Sequence, residues 1–233
     1  MIQTDLDNET LFFLLTFIDL LLILAAWRFG RVWVYVTIAV NIILVSTFGQ
    51  LLIKIFGYIT NATNVCYAAI FLASNILNEH LGTREAYKSV WLGFLGLFIF
   101  VLTGQLILDF TPAHGGLVSD AMTALFAGAP RVAAASFFAY AIAQNFAVWC
   151  YDYLRKLTKS RHLWLRHNIS AISGQFIDSV IFFGLAFGGL VGNDELIGII
   201  LTGWLVKVIV TVIETPFLYA SAWIVGKPFA PRT

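Results

Sequence analysis

Of 233 residues, 60% are hydrophobic and only 12% are charged, where a soluble domain carries roughly 25% charge. A mean hydropathy of +0.86 says the same, and a soluble fold has no use for that much apolar surface. The net charge of +1 provides no basic field for nucleic acid, and Cys66 and Cys150, both in apolar segments, support neither a disulfide framework nor a metal site.

The chain opens on Asp5, Asp7 and Glu9, where a secretory signal would be basic, so the first apolar run is expected to stay in the protein. A helix needs about 20 apolar residues to cross the hydrocarbon core. Segments of about that length lie at 10–27, 32–53, 58–79, 89–109, 131–152, 168–191 and 196–222. The expected fold is therefore all-α: one membrane domain over 1–233, a transmembrane helix bundle of six to seven spans, with no strand alternation competing. The third and seventh segments are the least clean, because they carry ionisable groups. Between about 110 and 130 the chain is interrupted by Pro112, Gly115, Gly116, Gly128 and Pro130, with a short interfacial or re-entrant helix expected over Leu117–Phe126.

Alternate connections hold the basic residues. Arg28, Arg31, Arg84, Lys88, Arg155, Lys156, Lys159, Arg161, Arg166, Lys227 and Arg232 make eleven of the fourteen Lys and Arg residues. The opposite connections hold Asp109, Asp120, Asp194 and Glu195. The positive-inside rule then places the N-terminus outside and the C-terminus in the cytoplasm of a multi-pass plasma-membrane protein, which requires an odd number of spans. Trp27, Trp33, Trp91, Trp164 and Trp223 lie near span ends, as lipid anchors do.

Polar residues inside a bilayer ask for a partner or a role. In the third segment Asn75, Asn78 and Glu79 share a helical face. They either read a small polar ligand or form a polar helix end in which Glu79 pairs with Arg84. In the fifth, which begins at Pro130 and Arg131, Gln144 either faces a cavity or bonds a neighbouring helix. In the sixth, Gln175 and Asp178 share a face. In the seventh, Lys207 and Glu214 are two turns apart, with Trp204 before them and Pro216 after. Lys207 either neutralises Asp178 or changes partners during transport. Asp19 and Lys54 read as isolated, and His114 and His162 as loop residues. The Gly184, Gly188, Gly192 spacing reads as close helix packing, leaving a homodimer only as a possibility. No phosphate-binding loop, nucleophile elbow or zinc-protease motif occurs, so no ATPase or hydrolase chemistry is visible.

Four blocks in order resemble the queuosine precursor transporter (vitamin uptake) family. They are Asn75 to Phe94, with Asn78, Glu79, Gly82, Arg84, Ala86 and Gly93; Pro130-Arg131 to Ser136; Leu165-Arg166 to Ser170 with Gln175, Asp178 and Ser179; and Lys207 with Glu214 and Pro216. The resemblance covers roughly residues 35–222, about the extent of one membrane domain. Two positions depart from the family pattern: Asn75 stands where an Asp is common, and Leu81 where an aromatic is usual. The resemblance implies import of a small 7-deazapurine: 7-cyano-7-deazaguanine, its 7-aminomethyl relative or queuine. On that reading Asp178 or Glu79 takes the donor edge of the base. Asn75, Asn78, Gln144 and Gln175 supply amides, Lys207 is the counter-charge, and Phe71, Tyr140 and Trp204 stack on the ring. Arg84, Arg131, Arg166, Glu214 and Pro216 are structural or gating residues, and no cofactor is implied. The alternatives are a substrate-binding subunit of an ATP-driven vitamin importer, which needs an ATPase partner, and an intramembrane enzyme, which needs a nucleophile, base or metal cluster at one depth.

Overall fold

The computed structural model of the protein describes residues 6–49, 51–112, 116–127 and 130–225, and eight helices are found among them. His114, Gly115, Gly128, Lys227 and Arg232 lie outside the described residues. The long helices are α1 (Asn8–Phe29), α2 (Arg31–Phe48), α3 (Asn64–Leu81), α4 (Thr83–Leu108), α6 (Pro130–Leu157), α7 (Leu163–Phe187) and α8 (Asn193–Val225). Their number matches the seven apolar segments. The short α5 (Leu117–Ala127) occupies the interruption before α6, and its 11 residues reach only about 17 Å, too little to span.

Five of these helices, α1, α2, α4, α7 and α8, are long and apolar enough to cross a membrane. In α3, by contrast, every residue from Asn64 to Glu79 is buried. It packs against α1, α2, α4, α6, α7 and α8, so protein rather than lipid solvates its polar groups. The outer faces of α1 and α4 show the complementary pattern, with Leu14, Phe17, Leu21, Leu92, Leu95 and Ile99 exposed as lipid-facing surface.

The second and third segments differ from expectation. α2 ends at Phe48, α3 begins only at Asn64, and between them β1 (Leu52–Ile55) and β2 (Tyr58–Asn61) pair as an antiparallel hairpin. Phe56 and Gly57, at φ 49° and 83°, supply the two positive values that a two-residue hairpin turn of the favoured twist needs. The β-branched Ile53, Ile55, Ile59 and Thr60 suit strands as well as helices, so apolarity alone did not separate the two. The hairpin is tied to α1: Asn8 Nδ2 donates to the Lys54 carbonyl at 3.0 Å, and the Phe56 N–H to Glu9 Oε1 at 2.7 Å. Asp7 caps α1 by accepting from the Thr10 N–H at 2.8 Å, and the Thr10 side chain and backbone together hold its carboxyl below the ordinary carboxylate range.

Helix reversals are tight where a single glycine joins two helices. Gly82 adopts φ 95°, open to glycine at no steric cost, and its N–H closes α3 by donating to the Leu77 and Asn78 carbonyls. The consequence is an up-and-down bundle. Trp27 and His80 pack together while Trp27 Nε1 donates to the Ser221 carbonyl, so the ends of α1, α3 and α8 meet. Arg31, Tyr35 and Lys88 converge on Glu85 at that same end of α2 and α4. Trp27 is thus buried rather than a lipid anchor, whereas Trp33, Trp91, Trp164 and Trp223 are exposed as expected. The glycine spacing does not mark helix packing within this chain: Gly184 faces open space, and Gly188 and Gly192 lie beyond the end of α7.

Candidate functional site

A buried polar column runs between α3, α6, α7 and α8. On α7 the buried face carries Arg166, His167, Ser170, Gly174, Gln175, Asp178 and Ser179, a helical repeat of three and four. α3 presents Tyr67, Phe71, Ser74, Asn75, Asn78 and Glu79, and α8 presents Lys207, Thr211 and Glu214. Both α3 and α7 place twelve residues, about 18 Å, between their two ends of the column. One ion pair sits at each end.

At the hairpin end, Lys207 Nζ lies 2.8 Å from Asp178 Oδ2 and 3.3 Å from Ser179 Oγ. The Tyr67 hydroxyl donates to Asp178 Oδ1 at 2.5 Å, and the ammonium sits 4.7 Å from the Tyr67 ring centroid. These groups border a cavity of about 70 Å³, which is also lined by Asn61, Asn64, Ser136 and Phe183. Asn61, at the end of β2, is fixed there by accepting from the Thr63 N–H and hydroxyl. Lys207 therefore does neutralise Asp178.

At the opposite end, Glu79 pairs not with Arg84, which is exposed, but with Arg166. Arg166 Nη2 is 2.8 Å from Glu79 Oε1, Nε donates to Oε2 at 3.2 Å, and the Tyr151 hydroxyl donates to Oε2 at 2.7 Å. Nη1 holds the Ser160 and Arg161 carbonyls, each at 3.0 Å. Both charged side chains are almost entirely shielded, so the fork must be matched by its partners to be tolerated. Beside it, Arg155 Nη1 donates to the Asn78 carbonyl.

Between the two ion pairs lie groups whose hydrogen-bonding capacity is only partly used. Gln144 is fully buried, and neither of its amide atoms has a hydrogen-bond partner among the described residues. Gln175 Oε1 accepts from Thr211 Oγ1 at 3.1 Å while Nε2 is unpartnered there. Asn78 Nδ2 donates to the Val148 carbonyl at 3.3 Å, leaving Oδ1; Ser74 Oγ is likewise open. Asn75 Nδ2 is 2.9 Å from His167 Nδ1, and His167 Nε2 is 3.6 Å from Glu214 Oε2. Buried polar groups are normally satisfied, so this concentration in one layer marks a place where something else bonds.

The remaining expected residues stand apart. Phe71 is buried against Tyr67 and close to Gly174, at the wall of the column. Tyr140 turns to α4 and donates to the Val90 carbonyl. Trp204 is half-buried; it donates to the Ile172 carbonyl and packs on the exposed Phe176, on the outer side of α7 and α8. Arg131 is exposed and closes the end of α7 through the Leu185 and Gly188 carbonyls. Pro216 lies inside α8, where it removes one helical N–H two residues after Glu214.

Sequence reasoning passed over Tyr67, Tyr151, Thr211 and His167. Tyr67 shares the stripe of Phe71, Asn75 and Asn78, and His167 the stripe of Gln175 and Asp178, so helical spacing pointed to both. Asp19 is not isolated: it is buried and accepts from Asn41 Nδ2 at 3.1 Å.

A family model described as "Putative vitamin uptake transporter" matches residues 61–221. A Bacillus subtilis (strain 168) protein named "Probable queuosine precursor transporter" is 33% identical over 221 residues, covering 92% of this chain and 94% of that one. The "Queuosine precursor transporter" of Escherichia coli (strain K12) is 29% identical over 140 residues, 59% of this chain and 60% of its own. No solved structure matches the chain.

Proposed function

The chain belongs to the vitamin uptake transporter family and is a multi-pass membrane transporter, not an enzyme; from that premise we propose that it imports a 7-deazaguanine precursor of queuosine across the plasma membrane. The observation that carries this reading is the layer of unpartnered amide and hydroxyl atoms between the two buried ion pairs. A 7-deazaguanine presents a ring N–H beside an exocyclic amine and, next to them, a carbonyl oxygen. Amide side chains match such an edge with one donor and one acceptor each. Gln144 has both atoms open, Gln175 its donor and Asn78 its acceptor, with Asn75 beside them on His167, and Phe71 and Tyr67 offer aromatic faces to the bicyclic ring.

The ion pairs supply the gates of an alternating-access cycle. On the hairpin side the cavity of about 70 Å³ holds only a few waters, so admitting a bicyclic base requires it to widen. Asp178 is the carboxylate at that mouth, and the donor edge of the base competes with Lys207 and Tyr67 for its oxygens. On the other side Glu79, Arg166 and Tyr151 keep the path shut until they separate. With the basic end of the bundle in the cytoplasm, the hairpin faces outward and the Glu79–Arg166 pair faces the cell interior. Tyr140 and Trp204, whose polar tips are spent on backbone carbonyls, are then supporting walls. Arg131 closes the end of α7, and Pro216 removes one helical N–H from α8.

The test is uptake of labelled 7-cyano-7-deazaguanine into cells unable to make queuosine, with this chain alone expressed. Uptake above the empty-vector control is expected, falling at least tenfold, about 1.4 kcal/mol, in Asp178→Asn. Absence of uptake by well-inserted protein, or full uptake by Asp178→Asn, refutes the proposal. Uptake that appears only with an ATPase partner assigns the chain to the ATP-driven class instead.

A further inference from the structure

Glu214 is used by neither ion pair. It is fully buried, and neither carboxylate oxygen has a hydrogen-bond partner among the described residues. It lies seven residues, about 10 Å along α8, from Lys207 toward the Glu79–Arg166 end. The basic atom that faces it is His167 Nε2, at 3.6 Å, on a ring that is itself fully buried. Asn75 Nδ2 has only protons to give, so His167 Nδ1 accepts and the ring's own proton sits on Nε2, pointing at Glu214. The Thr211 backbone also lies against the ring, and Asp19 of α1 lies on the same side of Glu214. Other titratable groups near this face have partners elsewhere: Lys207 on Asp178, and His80 of α3 on the Ser221 hydroxyl one further double turn along α8. Cys66 of α3 lies near Asp19, and Tyr58 of β2 is exposed.

We propose that Glu214 and His167 form an intramembrane proton-binding site, and that import through this chain is coupled to a proton. A buried carboxyl with no donor at bonding distance and one imidazole beside it changes its charge by one when a proton arrives, and no fixed cation cancels that change. The site is joined to the proposed substrate layer through Asn75. A proton arriving at His167 enters at Nδ1, the ring nitrogen that lacks one, and the Nε2 proton passes to Glu214, so that the carboxyl is protonated while the ring stays neutral. Nδ1 then becomes a donor, and Asn75 must turn its Oδ1 toward the ring and its Nδ2 away from it. Protonation thereby exchanges an acceptor for a donor in the layer that reads the substrate. Asn75 can make that exchange because an amide presents either a donor or an acceptor to the ring.

Two readouts test this, and only the second rests on the substrate assignment. Infrared difference spectra of the purified full-length protein between acid and alkaline pH are expected to show a protonated-carboxyl band. That band should be lost in Glu214→Gln, retained in Asp178→Asn, and shifted in pH by His167→Gln. A band that Glu214→Gln leaves unchanged overturns the proposal, whatever the substrate is. In reconstituted vesicles held one pH unit more acidic outside than inside, one proton per neutral 7-cyano-7-deazaguanine supports about tenfold accumulation. Glu214→Gln should fall to about onefold while still exchanging labelled for unlabelled substrate. Wild-type exchange without any response to the gradient, or accumulation driven by sodium instead, overturns proton coupling. Absence of exchange in wild type defeats the substrate reading and leaves the infrared result to decide the proton site.

Discussion

Removing Glu79 is the sharpest test of the buried pair that closes the column. Glu79→Ala takes away both contacts of the Arg166 fork and the acceptor of the Tyr151 hydroxyl. The guanidinium is left fully shielded, with the Ser160 and Arg161 carbonyls and the Tyr151 hydroxyl oxygen as its remaining acceptors and no charge to balance it. Breaking one side of such a pair costs about 3–5 kcal/mol. Tyr151→Phe removes the bond donated to Glu79 and the longer one accepted from Arg166 Nε, about 1.5–3 kcal/mol, with the lower end expected because Arg166 still holds Glu79. The double change Glu79→Met with Arg166→Met strands no charge. It loses the tie to the 159–162 loop, where Lys159, Ser160 and His162 adopt positive φ, and both partners of the neutral Tyr151 hydroxyl, but with no buried charge left alone it should cost less than Glu79→Ala. The assay is equilibrium unfolding in mixed micelles, followed by tryptophan fluorescence. A Glu79→Ala cost below about 1 kcal/mol, or Glu79→Met and Arg166→Met costs that sum to within about 0.5 kcal/mol of the double change, would falsify the description of this pair as dry and coupled.

Other consequences are equally direct. A Cβ on Gly174 meets Phe71 Cε1 at 2.7 Å and Ala147 Cβ at 3.0 Å, so Gly174→Ala should destabilise by about 1–3 kcal/mol, whereas Gly184→Ala, facing open space, should be neutral or slightly stabilising in the same unfolding assay. Gly57→Val forces a β-branched side chain to φ 83°, and Glu9→Ala removes the bond to the Phe56 N–H; hydrogen exchange across 52–61 should accelerate in both, most in Gly57→Val, and unchanged protection would show that the hairpin is held otherwise. Cysteine placed at Ser160 should react with membrane-impermeant maleimide only from the cytoplasmic side, and cysteine at Phe56 only from outside; the reverse pattern inverts the proposed orientation.

Chain composition alone determined the class of the molecule. Sixty per cent hydrophobic residues in seven runs of spanning length leave no soluble alternative, and seven long helices answer to those runs, the hairpin at 52–61 trimming the second and third. The spacing of Asn75, Asn78 and Glu79, of Gln175 and Asp178, and of Lys207 and Glu214 placed them on faces, because helical period is local. Which face meets which was not local. Glu79 chose Arg166, 87 residues away, over Arg84 five residues on, because α3 and α7 run antiparallel and bring their twelve-residue intervals into step. The hairpin at 52–61 escaped for a related reason: an apolar run rich in β-branched residues is compatible with helix or strand, and its contacts with α1 decide. Trp27 shows the same division, apolar enough to anchor in lipid and yet buried, because only the assembled bundle offers it the Ser221 carbonyl and the His80 ring. Periodicity is written in neighbours along the chain, whereas pairing belongs to neighbours in space, and only the packed helices settle those.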